Sequence, residues 1–171
     1  MGWKLNVTVD FPKKYIIALA PHTSNWDFVL GQLYMRSQGM KINFLMKKEW
    51  FKGPLKPLFL HMGGIPVFRS KHTSMTDHLA QEAQQRETFG LCITPEGTRS
   101  PNPDWKHGFY YIALKAQIPV LLFGVDYKQK LIQCTRSFVP TGDIDKEMKE
   151  VKLYFKNFTG KHPENFTIGE V

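Results

Sequence analysis

Short apolar runs bounded by turn residues recur along this chain, and segments with helical spacing lie between them. Residues 15–20 are apolar throughout, which predicts a central strand buried on both faces. Residues 28–35 are apolar nearly all round, so a well-buried helix is expected there, stopping near Gly39. Residues 41–46 form the next predicted strand. The stretch 47–60 interleaves four lysines with Trp, Phe and Leu, and its two prolines limit any helix to short pieces. That mixture suits the boundary between lipid headgroups and acyl chains, or equally a short core helix with solvated lysines. Residues 63–69 read as a turn and a short strand ending in Arg69. Residues 73–87 read as a Gln-rich surface helix with a weak stripe of Met75, Leu79 and Ala83. Strands are expected at 91–94 and 118–125, with a helix opening at Trp105-Lys106-His107-Gly108 between them. Residues 127–130 read as a hairpin turn and 131–138 as its returning strand. A final amphipathic helix is expected over 144–158, and a loosely held tail after Gly160. Strands alternating with helices predict a single α/β domain, residues 1–171, whose mixed and largely parallel sheet is flanked by helices.

Composition narrows this picture. A chain of 171 residues that is 42% hydrophobic can bury one proper core. No apolar run approaches the roughly 18 residues that argue for a spanning helix. Cys92 and Cys134 both sit in strand-like runs, which suits reduced thiols in a cytoplasmic protein. The net charge of +8, from 23 Lys and Arg against 15 Asp and Glu, favours an anionic partner. Nucleic acid, anionic lipid and a phosphorylated small molecule all qualify. The lysines are spread rather than clustered, and no zinc-finger spacing or RNA-binding aromatic signature occurs, so no nucleic-acid partner is expected.

Candidate chemistry centres on Ala20-Pro21-His22-Thr23-Ser24-Asn25-Trp26-Asp27, between the first strong strand and its helix. On one helix, His22 and Asp27 would project about 140° apart and could not meet. With His22 in the loop and Asp27 in the first turn, the imidazole can fold onto the carboxylate, as a histidine general base requires. Ser24-Asn25-Trp26-Asp27 also reads as a capping box, which would leave His22 an ordinary loop residue. Arg69 and the turn Pro95-Glu96-Gly97-Thr98-Arg99-Ser100 end other predicted strands. In an open α/β sheet such ends share one edge, so one crevice could hold a His/Asp pair and two arginines. A base beside an anion clamp suggests acyl or phosphoryl transfer on an anionic substrate.

His22 to Asp27, Gly64-Ile65-Pro66-Val67-Phe68-Arg69, Pro95 to Ser100 and Ile118-Pro119-Val120 together resemble the four ordered motifs of the glycerolipid acyltransferases. That family includes 1-acyl-glycerol-3-phosphate acyltransferase; the similarity spans about residues 15–127. Trp105-Lys106-His107-Gly108 resembles the segment following the family's Glu-Gly-Thr-Arg motif. The resemblance implies a glycerol-3-phosphate acyltransferase-like fold. It implies transfer of a fatty acyl group from acyl-CoA or acyl-carrier protein to a hydroxyl of a lysophospholipid, with no cofactor and no metal. His22 would deprotonate that hydroxyl and Asp27 would orient His22. Arg99, assisted by Arg69 and with Lys106 as a further contact, would hold the acceptor phosphate within a site that includes Glu96, Gly97 and Thr98. Glu96 is expected to brace the turn, and Gly97 to allow close backbone approach. Trp50 and Phe51 are the expected membrane contacts of a peripheral protein on the inner face of the cell membrane. Thr94 and Trp105 depart from the family's usual Phe at both places, and nothing before residue 15 resembles the family's membrane-embedded N-terminal segment.

Two rivals and a decoy accompany this reading. An idle lipid-binding or scaffolding homologue would share the fold, although such a protein is free to lose His22 or Asp27. A serine hydrolase would need a Gly-x-Ser-x-Gly elbow, which does not occur. The decoy is His72-Thr73-Ser74-Met75-Thr76-Asp77, which repeats the His-Thr-Ser-x-x-Asp pattern. A Gln-rich helix follows it, so His72 and Asp77 are expected to be structural, with Asp77 completing a capping box on Ser74.

Overall fold

The uninterrupted apolar run becomes β2 (Lys14–Ala20), where Ile16, Ala18 and Ala20 point to one face of a sheet and Tyr15, Ile17 and Leu19 to the other. The computed structural model describes residues 2–67 and 72–171, leaving aside the side chains of 72–74. Around β2 the described chain runs β1 (Lys4–Val7), β2, α1 (Asn25–Ser37), β3 (Asn43–Lys47), α2 (Lys56–His61), β4 (Gly64–Val67) and α3 (His72–Gln85). It continues through β5 (Phe89–Ile93), α4 (Gly108–Ala116), β6 (Val120–Asp126), β7 (Leu131–Phe138) and α5 (Ile144–Phe155).

The strands form one sheet in the order β1-β7-β6-β2-β5-β3-β4. Every neighbouring pair is parallel except β6 and β7, the hairpin read from residues 127–138. The α/β class with a mixed, largely parallel sheet is thus as expected. β1 was not anticipated: it is a short, mostly exposed edge strand without an apolar signature. β2 and β6 carry the core, since all of Val120–Asp126 is buried, and each fully buried aliphatic there contributes roughly 1.5–3 kcal/mol.

The helices divide between the two faces. α3, α4 and α5 supply Leu79, Ala83, Phe109, Ile112, Val151 and Phe155 to the core on the Ile16 face. α1 covers the Ile17 face with Tyr34 and Met35, joined by Trp3, Val9 and Phe11 of the N-terminal segment. The chain therefore leaves adjacent strands β2 and β5 towards opposite faces, which opens a crevice at their carboxyl ends.

Four expectations change. α1 is not buried all round: Trp26, Val29 and Leu33, spaced i, i+3, i+7, are exposed. The helix covers one face of the sheet, and its second apolar stripe points outward. α3 does not merely lie on the surface, because the weak stripe places Leu79 and Ala83 in the core against α4. Asp77 does not complete a capping box. The helix already includes His72, so position 74 lies inside it, and Asp77 is exposed and pairs with Lys115 of α4. The tail after Gly160 is also packed. Phe166 and Ile168 join the core, and the Trp105 indole N–H donates to the Thr167 carbonyl at 3.1 Å.

Residues 47–61 form two short helical pieces, a 3-10 turn Lys48–Phe51 and α2, as the prolines require. An aromatic line ties them to α1. Phe28 of α1 packs edge-on against Phe44 of β3, at 4.8 Å between centroids. Phe44 is in register with Gly64 of β4. A Cβ at Gly64 would lie 2.8 Å from the Phe59 carbonyl and 3.1 Å from the Phe51 ring. Phe51 thus turns inward, whereas Trp50, Leu55, Leu58 and Leu60 remain about half exposed.

Candidate active site

The loop after β2 places His22 and Asp27 together because the helix starts only at Asn25. Pro21, following a cis Ala20–Pro21 bond, and Thr23 are buried, and the loop turns the imidazole back over α1. His22 Nδ1 lies 3.2 Å from Asp27 Oδ2. The His22 side chain is 20% exposed and the Asp27 side chain is fully buried, so the ring alone reaches the crevice. With Nδ1–H donated to the carboxylate, Nε2 keeps its lone pair and makes no hydrogen bond among the described residues.

The two readings of this stretch turn out to be one structure. The Ser24 hydroxyl accepts from the Trp26 N–H at 3.2 Å, and Asp27 Oδ2 accepts from the Ser24 N–H at 2.9 Å, completing the capping box. The same oxygen also accepts the Thr23 N–H at 2.8 Å. Capping therefore fixes the carboxylate that holds the histidine. The outer oxygen, Oδ1, accepts from the Tyr127 hydroxyl at 2.6 Å. Tyr127 follows β6, the neighbour of β2, and was read only as part of a hairpin turn. Its signal would have been a phenol at the carboxyl end of a strand adjoining β2, which requires the strand order.

The loop after β5 meets this loop through two bridges. Glu96 is buried, and its carboxylate accepts the His22 backbone N–H at 2.9 and 3.1 Å. It braces the loop of His22 rather than its own turn. Its own turn is held instead by Asn102, whose amide donates to the Glu96 carbonyl at 2.8 Å. Burial pushes the Glu96 carboxyl up to about 8 against the pull of the His22 N–H, and the charge of Asp27 adds to the rise. The second bridge runs from the Arg99 guanidinium to the side-chain oxygen of Asn25, the first residue of α1. Arg99 is exposed, so its charge stands at the helix N-terminus, where backbone N–H groups also favour an anion.

Gly97 adopts φ +68°, a left-handed conformation that disfavours a side chain, and the Lys106 stem lies over it. Thr98 and Lys106 are exposed beside Arg99 in the same loop cluster. Arg69 lies outside the described residues. The C-terminal segment was not anticipated here. The His162 N–H donates to the Thr23 hydroxyl at 3.2 Å, and a Cβ at Gly160 would clash with Thr23 at 2.7 Å. Lys161 sits over the Trp26 ring at 4.9 Å. The arrangement offers a partly exposed base with a buried carboxylate behind it, and cationic side chains on the facing loop.

A family model described as Acyltransferase matches residues 5–125. Over 107 residues, 58% of the chain, the sequence is 28% identical to human 1-acyl-sn-glycerol-3-phosphate acyltransferase beta. The chain spans 38% of that protein's length. Among solved structures, the fold is similar to that of the 1-acyl-sn-glycerophosphate (LPA) acyltransferase PlsC from Thermotoga maritima. The TM-score is 0.65 at 18% identity, covering 90% of this chain and 70% of that one, a likeness of fold.

Proposed function

The chain belongs to the Acyltransferase family, and from that premise we propose that it moves a fatty acyl group from an acyl thioester to a hydroxyl of a lysophospholipid such as 1-acyl-glycerol-3-phosphate. The donor is acyl-CoA or acyl-carrier protein, and no cofactor takes part. The observation that carries this reading is the His22–Asp27 pair, buried on the carboxylate side and open on the Nε2 side, beside Arg99 at the crevice. His22 Nε2 takes the proton of the acceptor hydroxyl as its oxygen attacks the thioester carbonyl. The C–O bond forms, the tetrahedral intermediate collapses, and the C–S bond breaks. The leaving thiolate takes the proton back from the imidazolium. Asp27 holds the ring and offsets its transient charge. Arg99, Arg69 and Lys106 hold the acceptor phosphate, for which the guanidinium's planar fork is suited. The Gly97 N–H donates to the Thr94 carbonyl at 3.1 Å, so the oxyanion is stabilised by the following backbone N–H, that of Thr98.

The lipid acceptor resides in a bilayer, and the reading extends to a peripheral seat on its cytoplasmic surface. No helix among the described residues is long and apolar enough to cross a membrane. The exposed residues of α1 and of the 3-10 turn and α2 lie over one face of the sheet, linked by the Phe28–Phe44 contact and the rings at Gly64. Exposed Lys47, Lys52 and Lys56 flank the second of these patches. This supports membrane contact by Trp50, with Phe51 serving instead as an inward anchor.

The test is release of CoA or carrier thiol by purified protein, with mass spectrometry of the lipids formed from a panel of lysolipids. Thiol release that requires a lysolipid supports transfer. Lipid binding without turnover on any donor and acceptor would leave an idle binding homologue.

A further inference from the structure

The buried carboxylate of Asp27 has unequal oxygens. Oδ2 receives three donors: the His22 imidazole and the Thr23 and Ser24 N–H groups. Oδ1 receives one among the described residues, the Tyr127 hydroxyl, and at 2.6 Å this is the shortest of the four contacts. A carboxylate fixed at one oxygen alone can still rock about its Cβ–Cγ bond. Holding both oxygens removes that freedom. The phenol is itself fixed from two sides. Its ring stands edge-on against Trp3, at 5.2 Å and 87°, and its backbone N–H donates to the Thr159 carbonyl at 2.8 Å.

We propose that Tyr127 is a positioning residue for the His22–Asp27 pair. Its hydroxyl clamps Asp27 Oδ1, which keeps Oδ2 on His22 Nδ1 and leaves Nε2 as the free basic nitrogen. The clamp also draws negative charge away from Oδ2. When His22 gains the acceptor's proton, the carboxylate stays aligned with the imidazolium and does not take the Nδ1 proton for itself. Burial first, and then the bond to Asp27, hold the phenol's titration above its ordinary range, so the hydroxyl remains a donor wherever the enzyme works. The proposal rests on the acyl-transfer reading for its consequence in rate, but not for its effect on His22.

The test is Tyr127→Phe in the full chain, read in two ways. The first is the titration and tautomer of His22 by NMR, assigned by the signal missing from His22→Ala. Without the phenol, Oδ2 carries more charge and the imidazolium is better stabilised, so the observed midpoint rises in the variant. Charged and titratable neighbours of this site, Glu96, Arg99, Lys161 and His162, are the same in both proteins. A monofluorinated tyrosine placed at 127, a stronger donor of nearly the same shape, moves the midpoint the other way; it serves also if Tyr127→Phe does not fold. The second readout is kinetic. The kcat falls about ten- to a hundredfold while KM changes little, and the loss disappears in an Asp27→Asn background because Tyr127 acts through Asp27. An unmoved His22 midpoint, or a loss that persists undiminished beside Asp27→Asn, overturns the proposal. If the wild type turns over no substrate, the acyl-transfer reading fails, and the His22 titration alone decides the role of Tyr127.

Discussion

Residues 22–27 and 72–77 carry the same His-Thr-Ser-x-x-Asp pattern and meet opposite ends. In the first, the helix starts at Asn25, so the histidine stands in the loop and the aspartate in the first turn. In the second, the helix already includes His72, so positions 72 and 77 share it and lie about 140° apart around its axis. Asp27 is fully buried with four donors around it; the Asp77 side chain is half exposed and pairs with one lysine. Spacing alone thus does not make a dyad. What matters is where the helix begins and whether the carboxylate is desolvated and held.

The comparison can be broken at its carboxylates. Asp27→Asn is expected to lower kcat by about 10²–10⁴-fold, since the general base loses its orienting partner. Asp77→Asn should leave kcat unchanged. Equal losses would mean that the burial of Asp27 has no bearing on the chemistry. The same pair separates in stability. Asp27→Asn turns an amide N–H₂ against buried donors and should cost about 1–3 kcal/mol in denaturant unfolding. Breaking the exposed Asp77–Lys115 pair should cost less than about 1 kcal/mol.

Arg99→Ala sharpens the anion side of the first site. The KM for a phosphorylated acceptor should rise about ten- to a hundredfold, the equivalent of roughly 1.5–3 kcal/mol for a charged hydrogen bond. An acceptor without a phosphate should respond far less. Identical kinetics of mutant and wild type on the phosphorylated acceptor would remove Arg99 from that role.

Glu96 gives a smaller effect, read in pH. Its carboxyl titrates near 8 in the fold against an ordinary value near 4.5. Between those values the folded state binds a proton that the unfolded chain has released. Stability from this group is therefore complete below about pH 4.5 and declines as pH rises to about 8. The loss is on the order of a few kcal/mol. Glu96→Gln keeps an acceptor for the His22 N–H and cannot ionise, so its melting temperature should fall less steeply over that window. Parallel profiles for the two proteins would mean that Glu96 is not protonated by burial.

Much of this was legible from apolar runs. β2, β5 and β6 announce themselves because largely buried strands leave continuous hydrophobic sequence, and β7 follows from the hairpin turn before it. The pair His22 and Asp27 was legible because loop and helix signals abut there. The outward positions Val29 and Leu33 lie in the run expected to be core, since hydropathy does not say whether an apolar face meets protein. The tail was misread for the opposite reason. Its few apolar residues, Phe166 and Ile168, are sparse in sequence yet fall on a core built by distant elements. Tyr127 and the Glu96–His22 contact depend on β6 and β5 both adjoining β2, a fact of topology that no local pattern contains.

The most direct measurement is acceptor-dependent thiol release by wild type, His22→Ala and His72→Ala in parallel, each checked for an unchanged melting temperature. The expected result is loss of about 10²–10⁴-fold in His22→Ala and near-full activity in His72→Ala. Activity that survives His22→Ala and is lost in His72→Ala would contradict the assignment and place the chemistry at the other copy.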